Sequence, residues 1–163
     1  MPFLANDISI DYADVTMIDI KQQPKNTVLQ ELCSKYGIEE SPENGNIGRG
    51  WESIVENCFR RAKEIGASCE YSQIKEKFGE LRIYRKNSLQ LETTVELEHR
   101  KIIDAACEKS SLTCVVCGKS GHIRVVHNWW RQCFCDCCHE RAIKIWTHAN
   151  RWELFEELLQ NGK

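Results

Sequence analysis

No stretch of this chain approaches the ~18 consecutive apolar residues needed to cross a bilayer as a helix. The opening residues, MPFLANDISIDYADV, lack a basic run followed by an apolar run, so no secretory leader is expected. Internal repeats and low-complexity tracts are absent, which excludes solenoid, collagen-like and linker-rich architectures. Proline is scarce, with three in 163 residues and none after Pro42. Together these absences lead to an expectation of a compact cytoplasmic protein that meets no membrane.

Cysteine, by contrast, is abundant. There are ten, and six fall between Thr113 and Ala142 in TCVVCGKSGHIRVVHNWWRQCFCDCCHERA. In a reducing compartment, tight cysteine pairs point to a metal site in preference to disulfides. Hydrophobic residues make up 42% and charged residues 28% of the chain, a globular balance. The net charge of −2 is unevenly spread. Residues 1–50 carry 4 basic and 8 acidic side chains, residues 51–111 carry 11 of each, and residues 112–151 carry 6 basic against 2 acidic.

Along the chain, ISIDYADVTMIDI (8–20) alternates apolar and polar residues as short strands do. A helix is expected after Thr27, opened by a Thr27–Gln30 capping box and stopped at Gly37. The glycine-bearing stretch 39–50 reads as the most mobile connection. In WESIVENCFRRAKEIG the residues Trp51, Ile54, Val55, Cys58, Phe59, Ala62 and Ile65 form one apolar stripe, and Gly66 ends the helix. SCEYSQI and ELRIYR read as strands joined by KEKFG, with Leu81 and Ile83 facing one side and Arg82 and Tyr84 the other. That turn has two readings. Either Phe78 tucks into the core beneath a solvated charged loop, or Lys75, Lys77, Arg82 and Arg85 offer a basic surface to a partner. Further helices are expected over 93–109, where Thr93 and Glu96 form a capping box, over 139–148, and over 152–160.

The Cys114-x2-Cys117 and Cys135-x2-Cys138 pairs are separated by 17 residues, the spacing of a structural zinc site. Each pair on a tight turn supplies two sulfurs at ~2.3 Å from the ion, half of a tetrahedron. Gly118 suits the positive φ of such a turn, and the spacer can fold back as a hairpin with HIRVV as one strand. Buried unligated thiols are the bland alternative. Cys133 and Cys137 fit one tetrahedral ion poorly and are expected to be spare, one packed inside and one at the surface. Cys33, Cys58, Cys69 and Cys107 fall on apolar faces, as small core residues do.

With His127 and His139 added, CVVCG…VVHN…CDCCHE resembles the zinc-supported HNH nuclease motif, in which His127 is the central histidine and His139 the distal one. Only seven residues lie between His127 and Cys135, too few for the second strand and loop that present the other catalytic groups, and neither a carboxylate nor a second histidine adjoins His127. A zinc deaminase is excluded because no His-x-Glu precedes the cysteines and no proline precedes Cys135.

Gly50–Trp51, QIKEKFGELRIY at 73–84, Ser110–Ser111, and the ribbon Cys114/Cys117/Trp130/Cys135/Cys138 recur in a loosely defined group of small bacterial and prophage zinc-ribbon proteins, which residues 50–138 resemble. The resemblance implies Cys135 and Cys138 as ligands, and occurrence among toxin-immunity and host-conflict genes.

The expected fold is α+β, with helices on a small antiparallel sheet followed by a four-cysteine zinc ribbon and C-terminal helices. Three segments are expected, 1–49 (strand and helix), 50–112 (α+β core with the KEKFG hairpin) and 113–163 (zinc ribbon and C-terminal helices), either as separate units or as parts of one integrated domain. The expected function is a non-enzymatic protein-binding module that neutralises a partner. In that reading Asp7, Asp11, Asp14 and Asp19 face a basic toxin or nuclease, although solvated strand-edge charges would look the same. The alternative is a nucleic-acid-binding ribbon using Arg124, Trp129, Trp130 and Arg131 to stack on bases and pair with phosphates, against the plainer reading of tryptophans that straddle the ribbon. A degenerate HNH-like nuclease is the third possibility.

Overall fold

The computed structural model of the protein describes residues 27–86, 93–127, 130–149 and 152–162. The alternating segment 8–20, the four aspartates Asp7, Asp11, Asp14 and Asp19, and Trp129 lie outside the described residues. Nine α-helices and β-strands follow in order among the described residues: α1 (Val28–Tyr36), α2 (Glu52–Glu64), β1 (Tyr71–Lys77), β2 (Glu80–Arg85), α3 (Thr94–Ser110), β3 (His122–His127), β4 (Trp130–Phe134), α4 (Asp136–Ala149) and α5 (Trp152–Asn161). The fold is α+β, with two separate antiparallel sheets of two strands each.

Both capping boxes form. Thr27 Oγ1 accepts from the Gln30 N–H while the Thr27 N–H donates to Gln30 Oε1. Thr93 and Glu96 repeat the exchange at the start of α3. Each box satisfies helix-end donors that would otherwise be bare. The α2 stripe packs inward as its spacing requires, with Trp51, Ile54, Val55, Cys58, Phe59 and Ala62 all buried. Phe59 stacks on Tyr71 at 5.4 Å between ring centroids, and the Tyr71 hydroxyl lies 3.1 Å from His99 Nε2. Burial pushes the His99 imidazole below its usual range, keeping it neutral beside the phenol. This buried polar pair links β1 to α3, and apolar periodicity alone carries no mark of it.

The 39–50 loop is closely tied to the sheet. The Gly45 N–H donates to Ile74 O at 2.9 Å, the Ile74 N–H to Asn44 Oδ1 at 2.8 Å, and Ser41 Oγ to Ser72 O at 2.6 Å. The loop thereby covers the outer edge of β1, satisfying backbone groups that an open edge would leave to solvent.

The hairpin turn departs from expectation. β1 runs through Lys77, and the turn is the two-residue pair Phe78–Gly79, both with positive φ (56° and 87°). Two-residue hairpins take this mirror-image turn because its twist matches that of the strands. Asparagine or glycine ordinarily occupies its first position; a bulky residue there costs roughly 1–2 kcal/mol. Phe78 is 61% exposed and so does not tuck into the core, because the left-handed backbone aims its ring outward. On β2, Leu81 and Ile83 are buried and Tyr84 is exposed, the alternation that the sequence carries.

One hydrophobic cluster runs from Val28 to Leu159 and crosses the expected segment boundaries at 49/50 and 112/113. Trp51 is fully buried at the first boundary, and its Nε1–H donates to Thr113 O at 2.8 Å. Arg49 Nε–H donates to Gln160 O at 3.0 Å, and Gln160 Nε2–H to Ile47 O at 3.0 Å, which ties α5 back to the loop. No described helix is long and apolar enough to cross a membrane.

Candidate metal centre

The first cysteine pair sits on a loop closed by backbone hydrogen bonds. The Cys114 N–H donates to Lys119 O at 2.7 Å, and the Gly118 N–H to Cys114 O at 2.9 Å. Gly118 takes φ 75°, the left-handed conformation its position suggested. The second pair is built differently. α4 begins directly after Cys135, three residues earlier than the sequence pattern suggests, and the His139 N–H donates to Cys135 O at 3.0 Å. Cys135 is therefore the residue that caps α4, and Cys138 lies in its first turn.

The four sulfurs of Cys114, Cys117, Cys135 and Cys138 all lie within 4.8 Å of one another, and Cys117 Sγ is 3.6 Å from Cys135 Sγ. A tetrahedron with metal–sulfur bonds of ~2.3 Å has edges of about 3.8 Å. The cluster could therefore hold a metal ion with little rearrangement. Cys114 and Cys138 are buried, Cys117 and Cys135 half-buried.

Electrostatics prepare the sulfurs unequally. Burial pulls the Cys135 thiol upward, but the Cys138 N–H and the thiols of Cys138, Cys117 and Cys114 more than offset it, bringing its pKa down to about 7. A sulfur at a helix N-terminus accepts a backbone N–H as a capping hydroxyl would, and gains from the helix dipole. Burial holds the Cys114 thiol above its usual range despite N–H groups from Cys117, Cys135 and Val116 directed at it. Burial also raises Cys138. These buried thiols surrender their protons only when a cation compensates the charge.

The two remaining cysteines of the segment separate as expected. Cys133 is fully buried, its Sγ–H directed to Ser111 O at 3.2 Å and its pKa pushed up to about 11 by burial. Cys137 is exposed on α4. Cys33 and Cys58 are buried core residues, and Cys69 and Cys107 half-buried.

Gly48 and Gly50 support the site, a contact the sequence reading did not foresee although Gly50–Trp51 stood among its motifs. A Cβ on Gly50 would stand 2.1 Å from Cys114 O and 2.6 Å from Gly118 N; one on Gly48 would stand 2.2 Å from Val115 O. The Gly50 N–H donates to Val115 O at 2.9 Å. The Gly-Arg-Gly turn thus lies flat on the first cysteine loop, with no room for side chains. The signals in the sequence are the close spacing of two glycines before a tryptophan and the recurrence of Gly50–Trp51 in the group that the chain resembles.

The histidines and the ribbon's basic and aromatic residues mostly take part in packing. β3, β4 and α4 form the ββα order of the HNH comparison, and the seven-residue spacer does accommodate a second strand, because β4 begins as early as Trp130. His139 Nε2 lies 3.2 Å from Val125 O, and its Nδ1 lies 3.4 Å from an Arg124 nitrogen. The His127 ring packs on Trp146 at 5.0 Å, and His122 is exposed. Among the described residues neither His127 nor His139 joins a group of three ligand atoms of the kind the cysteines form. Arg124 is paired with Asp136, and Trp130 packs edge-on against Phe155 at 4.3 Å; Arg131 is exposed. Comparison with protein-family models, with curated proteins and with solved structures finds no match to the chain.

Proposed function

We propose that Cys114, Cys117, Cys135 and Cys138 hold a structural Zn²⁺, and that the protein is a non-enzymatic, zinc-clasped module that binds and neutralises a protein partner. The observation that carries this reading is the four-sulfur cluster. Two cysteine pairs complete a tetrahedron, and a thiolate cage of that kind leaves no open position for water or substrate, unlike the three-ligand sites of zinc enzymes. Thiolates also favour zinc over harder cations. Cysteine pairs at metal-ligand spacing suit a reducing cytoplasm, where we place the protein. The neutralising role draws on the resemblance to small bacterial and prophage zinc-ribbon proteins that occur among toxin-immunity and host-conflict genes.

Zinc analysis of the purified chain should give one ion per molecule, and cobalt substitution should give the intense visible band of tetrahedral thiolate coordination. Less than one ion, or an octahedral cobalt spectrum, overturns the metal assignment. Incubation with plasmid DNA and magnesium or manganese should leave the DNA intact. Cleavage that His127→Ala abolishes would replace the module with a nuclease. The second reading, a nucleic-acid ribbon using Arg124, Trp129, Trp130 and Arg131, is less favoured because Arg124 is paired with Asp136 and Trp130 packs on Phe155; the basic face of the first hairpin, Lys75, Lys77 and Arg82 beside Tyr84, is the other surface a partner could meet. On that hairpin Lys75 lies 5.8 Å from the Tyr84 ring centroid, Lys77 lies 5.4 Å from that of Phe78, and Arg82 pairs with Glu80. A gel shift at micromolar protein and low salt would establish that reading instead.

A further inference from the structure

The strained tip of the first hairpin does not stand alone. A Cβ on Gly79 would lie 3.2 Å from the Ile123 side chain and 3.4 Å from Cys133 N, so the tip abuts the β3–β4 ribbon. Cys133 is the cross-strand partner of Ile123 and reaches Ser111 O, while the Gly121 N–H donates to Leu112 O at 3.0 Å. Three separate segments therefore meet around one buried cysteine, and each leaves an apolar side chain outside. Phe78 is 61% exposed, Leu112 62%, Ile123 37% and, two residues along the same face of β3, Val125 48%. Apolar side chains exposed singly are ordinary, but four converging from three segments mark an interaction surface.

The charges around this surface have one dominant sign. Lys77 adjoins Phe78, Arg131 stands opposite Val125 on β4, and Lys119 lies in the loop beside Leu112; all three are exposed. Of the nearby acids, Glu80 is paired with Arg82, and the half-buried Glu76 accepts the Gly79 N–H. Aliphatic neighbours offer no flat faces for bases to stack on, so the surface suits protein better than single-stranded nucleic acid.

We propose, building on the binding-module reading, that the Phe78 tip and the adjoining face of β3 dock an acidic protein segment, with Phe78 as the anchor that enters an apolar pocket of that partner. A strained, solvated aromatic contributes little to its own core. Backbone strain that persists at an exposed position suits a side chain held ready for another molecule. The four N-terminal aspartates would suit a basic partner, and the charge of this face is the opposite.

The test uses the full zinc-loaded chain, fluorescently labelled, against short immobilised peptides with one aromatic-aliphatic core. Their flanks are rich in Asp and Glu, in Ser and Gly, or in Lys and Arg, and a single-stranded oligonucleotide is included. The acidic set should be retained and released by added salt. Phe78→Gly, which keeps the positive φ, should weaken that retention at least about tenfold without lowering the melting temperature. Arg131→Glu should weaken it too. Equal retention of neutral or basic peptides, failure to retain any peptide, or a Phe78→Gly loss matched by a fall in melting temperature overturns the proposal. Peptides held equally by wild type and Phe78→Gly would remove this surface and leave the module reading intact. Retention of the oligonucleotide alone would remove both.

Discussion

Of the twelve largest fully buried side chains among the described residues, ten precede Thr113, and two, Phe134 and Phe155, follow it. The earlier part is held by burial. Phe59 on α2 and Tyr71 and Leu81 on the first hairpin are buried, and α3 packs on both α2 and β2. The later part pairs two short strands beneath α4, and all of β3 is exposed or half-buried. A two-stranded ribbon is at best marginally stable in water without such packing. There the cysteine cluster brings one loop, the end of β4 and the start of α4 to a common point, and an ion held by the four sulfurs would fix them together. The contrast shows one chain using two means of folding, with Trp51 and the Gly48–Gly50 turn as the joint.

Metal removal tests that contrast most severely. Structural zinc in small domains contributes on the order of 10 kcal/mol at neutral pH. A strong chelator, or Cys138→Ser, should therefore strip hydrogen-exchange protection from β3, β4 and α4, while α2 and α3 retain most of theirs. If every element loses protection together, the two parts form one cooperative unit and the contrast fails.

Gly50→Ala addresses the joint itself. Its Cβ would collide with Cys114 O at 2.1 Å, and backbone cannot yield as the end of a side chain does. The cysteine loop must shift although all four ligands remain. Zinc affinity, read by competition with a chromophoric chelator, should fall about 10–100-fold, as it does when groups that orient ligands are altered. Unchanged affinity would mean that the cysteine loop sets its own geometry without the Gly-Arg-Gly turn.

Features with a local cause were legible in the sequence. Both capping boxes, the α2 stripe, the cysteine pairs and the inward Leu81 and Ile83 each follow from residues within a turn or two of one another. Features set by distant chain segments were not. The docking of Gly48 and Gly50 on a loop more than sixty residues away, the Tyr71–His99 pair, and the ties that hold the 39–50 loop depend on which backbones meet. Phe78 misled for a third reason. Its hydrophobicity argues for burial, but the two-residue turn dictates φ, and at that position turn geometry outweighs burial.

The smallest expected effects come from the spare cysteines, and they bear on whether the cluster has four members. Cys133 sits at 0% exposure with its thiol directed at Ser111 O, so Cys133→Ala removes packing and one weak hydrogen bond. It should destabilise by about 1–2 kcal/mol in thermal unfolding while the zinc content stays unchanged. Cys137 is exposed on α4, directly beside Cys138. Cys137→Ala should alter stability by less than about 0.5 kcal/mol, since a surface helical position gains slightly in propensity and loses no contact of weight. The zinc content and the cobalt spectrum of the Cys137 variant carry the argument further than its stability. The Cys138 sulfur lies in the four-sulfur cluster and that of Cys137 does not, because consecutive residues at a helix start point in different directions. A loss of zinc in Cys137→Ala would mean that the first turn of α4 is wound differently around the ion.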